Sequence, residues 1–160
     1  MNYVVVGAGA VGCYVGGRLS AAGHAVTLVG RPRILAQLRQ HGLRITDLDG
    51  FDVLLSAERL ELAEDLEASM FERPCTVLLC VKGGATVRAA NELARMCPAS
   101  TPVVSLQNGV ENVARIRATA PVLHALAGMV PFNVVWPKDA HVHRGPTGDL
   151  YISRHPDTGA

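Results

Sequence analysis

The sequence predicts an α/β fold of the doubly wound kind: a mostly parallel sheet flanked by helices, with antiparallel strands added at one edge. Three observations predict it. Short unbroken apolar runs alternate with stretches of helical period, as strands buried on both faces and their connecting helices require. Gly residues, 16 in all, stand at several of the junctions between them. Aromatic residues make up only 4% of the chain, too few for the usual all-β composition.

Residues 3–6 form the first apolar run, bounded by Gly7, and read as a central strand. Over residues 10–22 the apolar positions Val11, Val15, Leu19 and Ala22 recur at three-to-four spacing, predicting an amphipathic helix that ends at Gly23. Residues 25–29 are the second strand, and a short helix carrying Ile34, Leu35 and Leu38 starts near Pro32, which suits a first helical turn. Residues 43–46 and 52–56 flank Asp49-Gly50 and predict a hairpin. The acidic stretch 58–72 reads as a solvated helix or loop with Leu60, Leu62 and Leu66 turned inward.

The strand-helix rhythm returns with a strand over 76–81, a helix over 85–96, a strand over 103–106 and a short helix over 110–117. Beyond Pro121, residues 122–127, 132–136, 141–144 and 149–153 read as short antiparallel strands on one edge of the sheet. No repeat or low-complexity linker divides the chain, and 160 residues suit one domain, 1–160.

Composition narrows the partners. The formal net charge is +1, which gives no field to attract nucleic acid or an anionic membrane. Residues 1–7 lead straight into a strand without a basic leader, and no apolar run approaches the roughly 20 residues of a membrane span, so a cytoplasmic protein is expected. Cys13, Cys75, Cys80 and Cys97 stand singly, without C-x-x-C or zinc-finger spacing, and read as reduced thiols. His141 and His143 share one face of a strand but have no third ligand at recognisable spacing, so no metal is expected. Ser105 and Cys80 lack a His partner in any nucleophile motif.

One motif carries chemistry. Gly7-Ala8-Gly9-Ala10-Val11-Gly12 follows the first strand directly and opens the first helix, the context in which G-x-G-x-x-G marks a Rossmann dinucleotide site. Gly7 permits the tight turn, Gly9 lets a pyrophosphate approach the main chain, and Gly12 lets helix and strand pack closely. The phosphates would lie on the helix N-terminus, where free N–H groups and the helix dipole favour an anion. At the end of the second strand, where NAD sites usually place an acid, stands Val29-Gly30-Arg31-Pro32-Arg33. No carboxylate is present there to repel a 2′-phosphate. Arg31 offers a charged fork to it, with Arg33 as a possible helper, so NADP(H) is the expected cofactor.

The later strands add specificity. Val77-Leu78-Leu79-Cys80-Val81-Lys82 and Val104-Ser105-Leu106-Gln107-Asn108-Gly109-Val110-Glu111-Asn112 join the glycine motif, Gly16-Gly17-Arg18-Leu19 and Val29-Gly30-Arg31 in one order and separation. In these stretches the chain resembles the ketopantoate reductase (2-dehydropantoate 2-reductase) family, over essentially its whole length. Lys82 and Gln107-Asn108-Gly109 match that family's strand-ending Lys and Q/H-N-G motifs; alone, each would read as a solvated strand end and a turn.

The resemblance implies that Lys82 and Asn108 stand at strand carboxyl ends. There both would bind cofactor, and Asn108 also the substrate. It implies NADPH-dependent reduction of ketopantoate, a small 2-oxo acid, to pantoate on the route to pantothenate and coenzyme A, with a homodimer possible. The family's proton donor is a Lys on a helical C-terminal domain, aided by a carboxylate there. The sequence stops at Ala160 without that domain, so no catalytic residue is expected in this chain, which reads as a truncated, inactive cofactor-binding part. Lys138, the only other lysine, is not at the matching position. Two alternatives stay open: an NADP-dependent reductase of another 2-oxo or hydroxy acid, and a non-catalytic dinucleotide-sensing module.

Overall fold

The apolar runs pair into a central sheet whose two faces are both buried, and the residues alternate between them. In the first strand, β1 (Asn2–Val6), Val4 and Val6 face one side and Val5 the other. The structure is a computed structural model that describes residues 1–109, 111–146 and 148–154. After β1 come α1 (Ala10–Ala21), β2 (Ala25–Val29), α2 (Pro32–His41), β3 (Leu43–Asp47), β4 (Asp52–Leu55) and β5 (Glu61–Ala63). The chain continues through β6 (Cys75–Leu79), α3 (Thr86–Met96), β7 (Pro102–Ser105), α4 (Glu111–Thr119), β8 (His124–Met129), β9 (Val134–Lys138), β10 (His141–Arg144) and β11 (Tyr151–Ile152).

The central sheet has the order β11-β8-β7-β6-β1-β2-β5. All its neighbours are parallel except β11, which runs antiparallel to β8 at the edge. From β1 the chain winds outward through β2 to β5, then returns to β6 on the other side of β1. This reversal opens a crevice beyond the carboxyl ends of β1 and β6, the usual ligand position in open α/β sheets. Ala89, Ala90 and Leu93 of α3 and Ile116 of α4 cover one face of the sheet. On the other face lie α1, Leu35 and Leu38 of α2, and a second sheet. Leu35 and Leu38 are fully buried, each worth about 1.5–3 kcal/mol of transfer free energy.

That second sheet, of order β4-β3-β10-β9, corrects the edge-strand reading of residues 132–136 and 141–144. They do not extend the parallel sheet. Instead β10 pairs parallel to β3, joining the predicted hairpin of β3 and β4, and β9 pairs antiparallel to β10. The cause lies in α1, whose residues 12–17 are all buried. A Cβ on Gly16 would stand 2.7 Å from Leu28 of the central sheet, and one on Gly17 would meet Ile45 and Leu43 of the second sheet. The helix predicted to be amphipathic is therefore packed on two sides. Ile45 and Val142 of the second sheet, both fully buried, cover the side that the central sheet cannot reach.

Two further readings change. Residues 122–127 were expected to be antiparallel, but β8 is parallel to β7, because α4 is itself a crossover helix. The stretch 58–72 contains β5, which runs parallel to β2; only Leu66 of its three leucines is buried outright. Three residues sufficed to extend the sheet, too few for a periodic signal. Val110, the expected first residue of the fourth helix, lies outside the described residues, and α4 begins at Glu111.

Candidate functional site

The crevice, of about 560 Å³, is lined at its floor by Gly7, Ala8 and Gly9 and at its sides by Arg31 and Lys82. The glycine motif shapes the floor as its spacing predicts. Gly7 has a φ of +109°, and a Cβ there would stand 2.8 Å from the Cys80 carbonyl carbon and the Val81 nitrogen, so the first turn passes directly over the end of β6. A Cβ on Gly12 would collide with the Gly7 carbonyl oxygen. Gly9 differs: no heavy atom lies within 4 Å of where its Cβ would be. It is the N-cap of α1 and supplies no side-chain cap, leaving the first-turn N–H groups of Ala10, Val11 and Gly12 for an anion.

Arg31 is exposed, precedes α2 and lines the crevice, whereas Arg33 is exposed on α2 and does not line it. Between Val29 and Pro32 no carboxylate intervenes, as read from the sequence. The fold nevertheless brings Glu64 and Asp65 to the crevice wall from the turn after β5. Sequence reasoning missed them because β5 itself was unseen. Glu64 lies 3.7 Å from Arg39 on the last turn of α2. On the opposite wall Arg88 and Glu92 of α3 face each other at 3.8 Å.

Lys82 follows β6 and is exposed in the crevice. Asn108 follows β7, the neighbouring strand; it is exposed and stands outside the residues that line the crevice. Behind these two loops is a group that the sequence did not bring together, although it named Gln107 in the Q/H-N-G motif and Ser105 on its strand. Ser105, Gln107, Thr86 and Asn112 are all buried polar side chains. Ser105 donates to Gln107 Oε1 at 3.1 Å, and Gln107 Nε2 donates to the Val81 carbonyl and to Thr86 Oγ1, both at 2.8 Å. Asn112 Nδ2 donates to the Asn108 carbonyl at 2.8 Å and the Gly109 carbonyl at 3.2 Å. Thr86 divides its single hydrogen between the Gly83 carbonyl at 2.8 Å and Asn112 Oδ1 at 3.2 Å.

Other candidates lie elsewhere. His141 Nε2 and His143 Nδ1 both stand 2.8 Å from Thr46 Oγ1 on the second sheet. Burial, with Arg44, His143 and Lys138 nearby, holds the His141 pKa below the usual imidazole value. Among the described residues no group of three or more His, Cys, Asp or Glu could hold a metal ion. All four cysteines are free, and burial pushes the Cys80 thiol to about 12 and the Cys13 thiol likewise to about 12, so neither is a ready nucleophile. Lys138 is on β9, away from the crevice. No helix of the described residues is long and apolar enough to cross a membrane.

Comparison with known proteins joins this geometry to one family. Residues 3–157 match the family described as ketopantoate reductase PanE/ApbA. A 2-dehydropantoate 2-reductase from Halobacterium salinarum is 32% identical over 156 residues, which are 97% of this chain and 50% of that protein. One from Pyrococcus abyssi is 31% identical over 116 residues, 72% of this chain and 36% of that protein. The crystal structure of a PanE/ApbA family ketopantoate reductase from Ralstonia eutropha superposes with a TM-score of 0.81 at 33% identity, covering 95% of this chain and 49% of that one. The chain thus spans at most about half the length of these relatives. Its Rossmann sheet, its glycine loop and its match over nearly every residue make it a member of the PanE/ApbA ketopantoate reductase family of dinucleotide-binding oxidoreductases.

Proposed function

We propose that this chain, as one domain spanning 1–160, is the NADP(H)-binding part of a 2-dehydropantoate 2-reductase. The observation that carries the reading is the crevice itself: a floor of Gly7, Ala8 and Gly9 at the N-terminus of α1, open above Gly9, with Arg31 on its wall. Ala10, Val11 and Gly12 would hold the pyrophosphate through main-chain N–H groups and the α1 dipole, and Gly7, Ala8 and Gly9, whose own N–H groups donate to the Val29 and Gly7 carbonyls, would form the floor beneath it. Arg31 would take the 2′-phosphate, and Lys82 and Asn108 would contact the nicotinamide half, with Asn108 also reaching substrate.

When bound, the cofactor supplies a hydride for the ketone carbon of a small 2-oxo acid such as 2-dehydropantoate. This chain's residues then bind and orient it; none of them is proposed as the proton donor to the carbonyl oxygen. The same reading has the whole protein acting in the cytoplasm on a small molecule rather than on nucleic acid, and it is compatible with a homodimer.

A second cofactor reading has an observation of its own. Glu64 and Asp65 on the crevice wall could accept hydrogen bonds from a free ribose, and D-mandelate dehydrogenase, solved with NADH, shares the fold at a TM-score of 0.71 and 19% identity. The position of Arg31 on the crevice wall favours NADPH. Fluorescence titration with NADPH and NADH separates the two. NADPH should bind more tightly, and Arg31→Ala should weaken it about 10- to 100-fold, the worth of charge-assisted hydrogen bonds to a phosphate, while sparing NADH. Equal binding of both cofactors would sink the Arg31 assignment.

A further inference from the structure

Lys82 and Asn108 sit on separate loops, and what fixes their separation is not a contact between them. Each loop contains a glycine, Gly83 and Gly109, the latter at φ +105°, so neither is stiff by its own covalent structure. The Asn112 side chain lies beneath both. A Cβ on Gly83 would stand 3.5 Å from Asn112 Oδ1, and one on Gly109 would stand 3.5 Å from Asn112 Nδ2. Asn112 is 4% exposed and Thr86 fully buried, so their bonds are shielded from competing water.

We propose that Thr86, Gln107 and Asn112 form a latch that sets the distance between the Lys82 and Asn108 loops, acting as positioning residues for the nicotinamide half of the cofactor. The proposal rests on the cofactor reading above. Thr86, at the start of α3, is the hub: it accepts from Gln107 in the loop after β7 and donates toward Asn112 on α4 and Gly83 in its own loop. Gln107 also holds the Val81 carbonyl, one residue before Lys82. Asn112 holds the carbonyl of Asn108 itself. The two functional side chains are thereby tied to one buried set of donors and acceptors without belonging to it. A set limited to packing α3 on α4 would not need to bond the main chain on both sides of Lys82 and at Asn108 and Gly109.

Two measurements on the full chain test this, each with Thr86→Val, which removes the hydroxyl at nearly constant volume, and with Asn112→Ala. Hydrogen exchange in the absence of ligand should rise in both loops, 81–86 and 107–112, for either substitution, and remain unchanged over 7–12. Titration should show NADPH weakened about three- to tenfold, the worth of one hydrogen bond, with adenosine 2′,5′-bisphosphate unaffected because it lacks the nicotinamide half.

A rise confined to the substituted loop would overturn the latch, as would equal weakening of both ligands. Failure of the unsubstituted chain to bind either ligand would sink the cofactor reading and the positioning role with it. The exchange measurement would then still decide whether the loops are coupled. If Thr86→Val does not fold, Asn112→Ala carries both arms.

Discussion

At the Gly7 end of the crevice the main chain is held by close approach and by its own hydrogen bonds, the Gly7 and Ala8 N–H groups donating to the Val29 carbonyl at 2.9 Å each, whereas at the Lys82 end it is held by buried side-chain amides and hydroxyls. The first end has no room for an added atom at Gly7 or Gly12: the turn at Gly7 lies on Cys80 and Val81, and Gly12 sits under the Gly7 carbonyl. The second end has no polar group to spare, because Ser105, Gln107, Thr86 and Asn112 satisfy one another and four main-chain carbonyls. The difference follows from what each end is built to meet. A pyrophosphate needs bare N–H groups and open space. A nicotinamide ring and a carbonyl substrate need side chains held at set positions, which takes a supporting layer.

The comparison predicts opposite sensitivities, and adding one carbon at the glycine end should have the largest effect. Gly12→Ala gains about 1 kcal/mol of helix propensity, yet its Cβ meets a backbone oxygen that cannot rotate away. Overpacking of about 1–3 kcal/mol outweighs the gain, and the relief comes from moving the Gly7 turn out of its phosphate-binding shape. Thermal denaturation should show a lower midpoint, and titration should show dinucleotide affinity down by more than about tenfold. An unchanged affinity would mean that the floor of the crevice does not hold the pyrophosphate.

The same difference explains how much could be read in advance. The glycine end was legible because its requirement is local: three glycines at fixed offsets between one apolar run and one helix. The place of Arg31 on the crevice wall was legible for the same reason, since it follows the second strand almost directly. Thr86 was not, because its partners Gln107 and Asn112 lie 21 and 26 residues away and neither pairing leaves a periodic trace. Glu64 and Asp65 were hidden behind a three-residue strand. The fold class and nearly all central strands followed from apolar runs, but the second sheet did not. Its strands β9 and β10 look like edge strands in isolation, and only the two-sided burial of α1, through Gly16 and Gly17, assigns them elsewhere.

A region outside both ends shows whether buried polar groups in general, or those under the crevice in particular, govern binding. Asp47 on β3 has a side chain only 2% exposed, accepts from the Asp49 and Phe51 N–H groups at 2.9 Å each, and pairs with Arg18 of α1 at 2.7 Å. Burial pushes its pKa up, but those N–H groups together with Arg18 and Arg144 outweigh burial and hold it below the ordinary carboxylate value. A folded-state pKa below the unfolded value of about 3.9 gives stability that is fully present above that pH and is lost as pH falls through the folded value. Asp47→Asn should cost about 1–2 kcal/mol at neutral pH and flatten the acid limb of stability, which begins as pH falls toward the unfolded carboxylate value of about 3.9. Denaturant midpoints along that limb read the change. Dinucleotide affinity of the folded protein should not move, and if it does, the contrast between the two crevice ends loses its meaning.

The smallest expected effect is at the edge of the polar end. Ser105 donates a single bond, at 3.1 Å, to Gln107 Oε1, and it stands one bond further from the loops than Thr86. In Ser105→Ala the carbonyl of a buried amide loses its donor, at a cost of about 1 kcal/mol, while the two donors on Gln107 Nε2 keep their acceptors at Val81 and Thr86. Stability should therefore fall modestly, with NADPH affinity within about twofold of the unsubstituted chain. This outcome would place the boundary of the support between Gln107 and Ser105. A loss of affinity as large as that of Thr86→Val would instead mean that the whole row from β7 to α4 moves as one unit, and that the Lys82 end of the crevice tolerates removal no better than the Gly7 end tolerates addition.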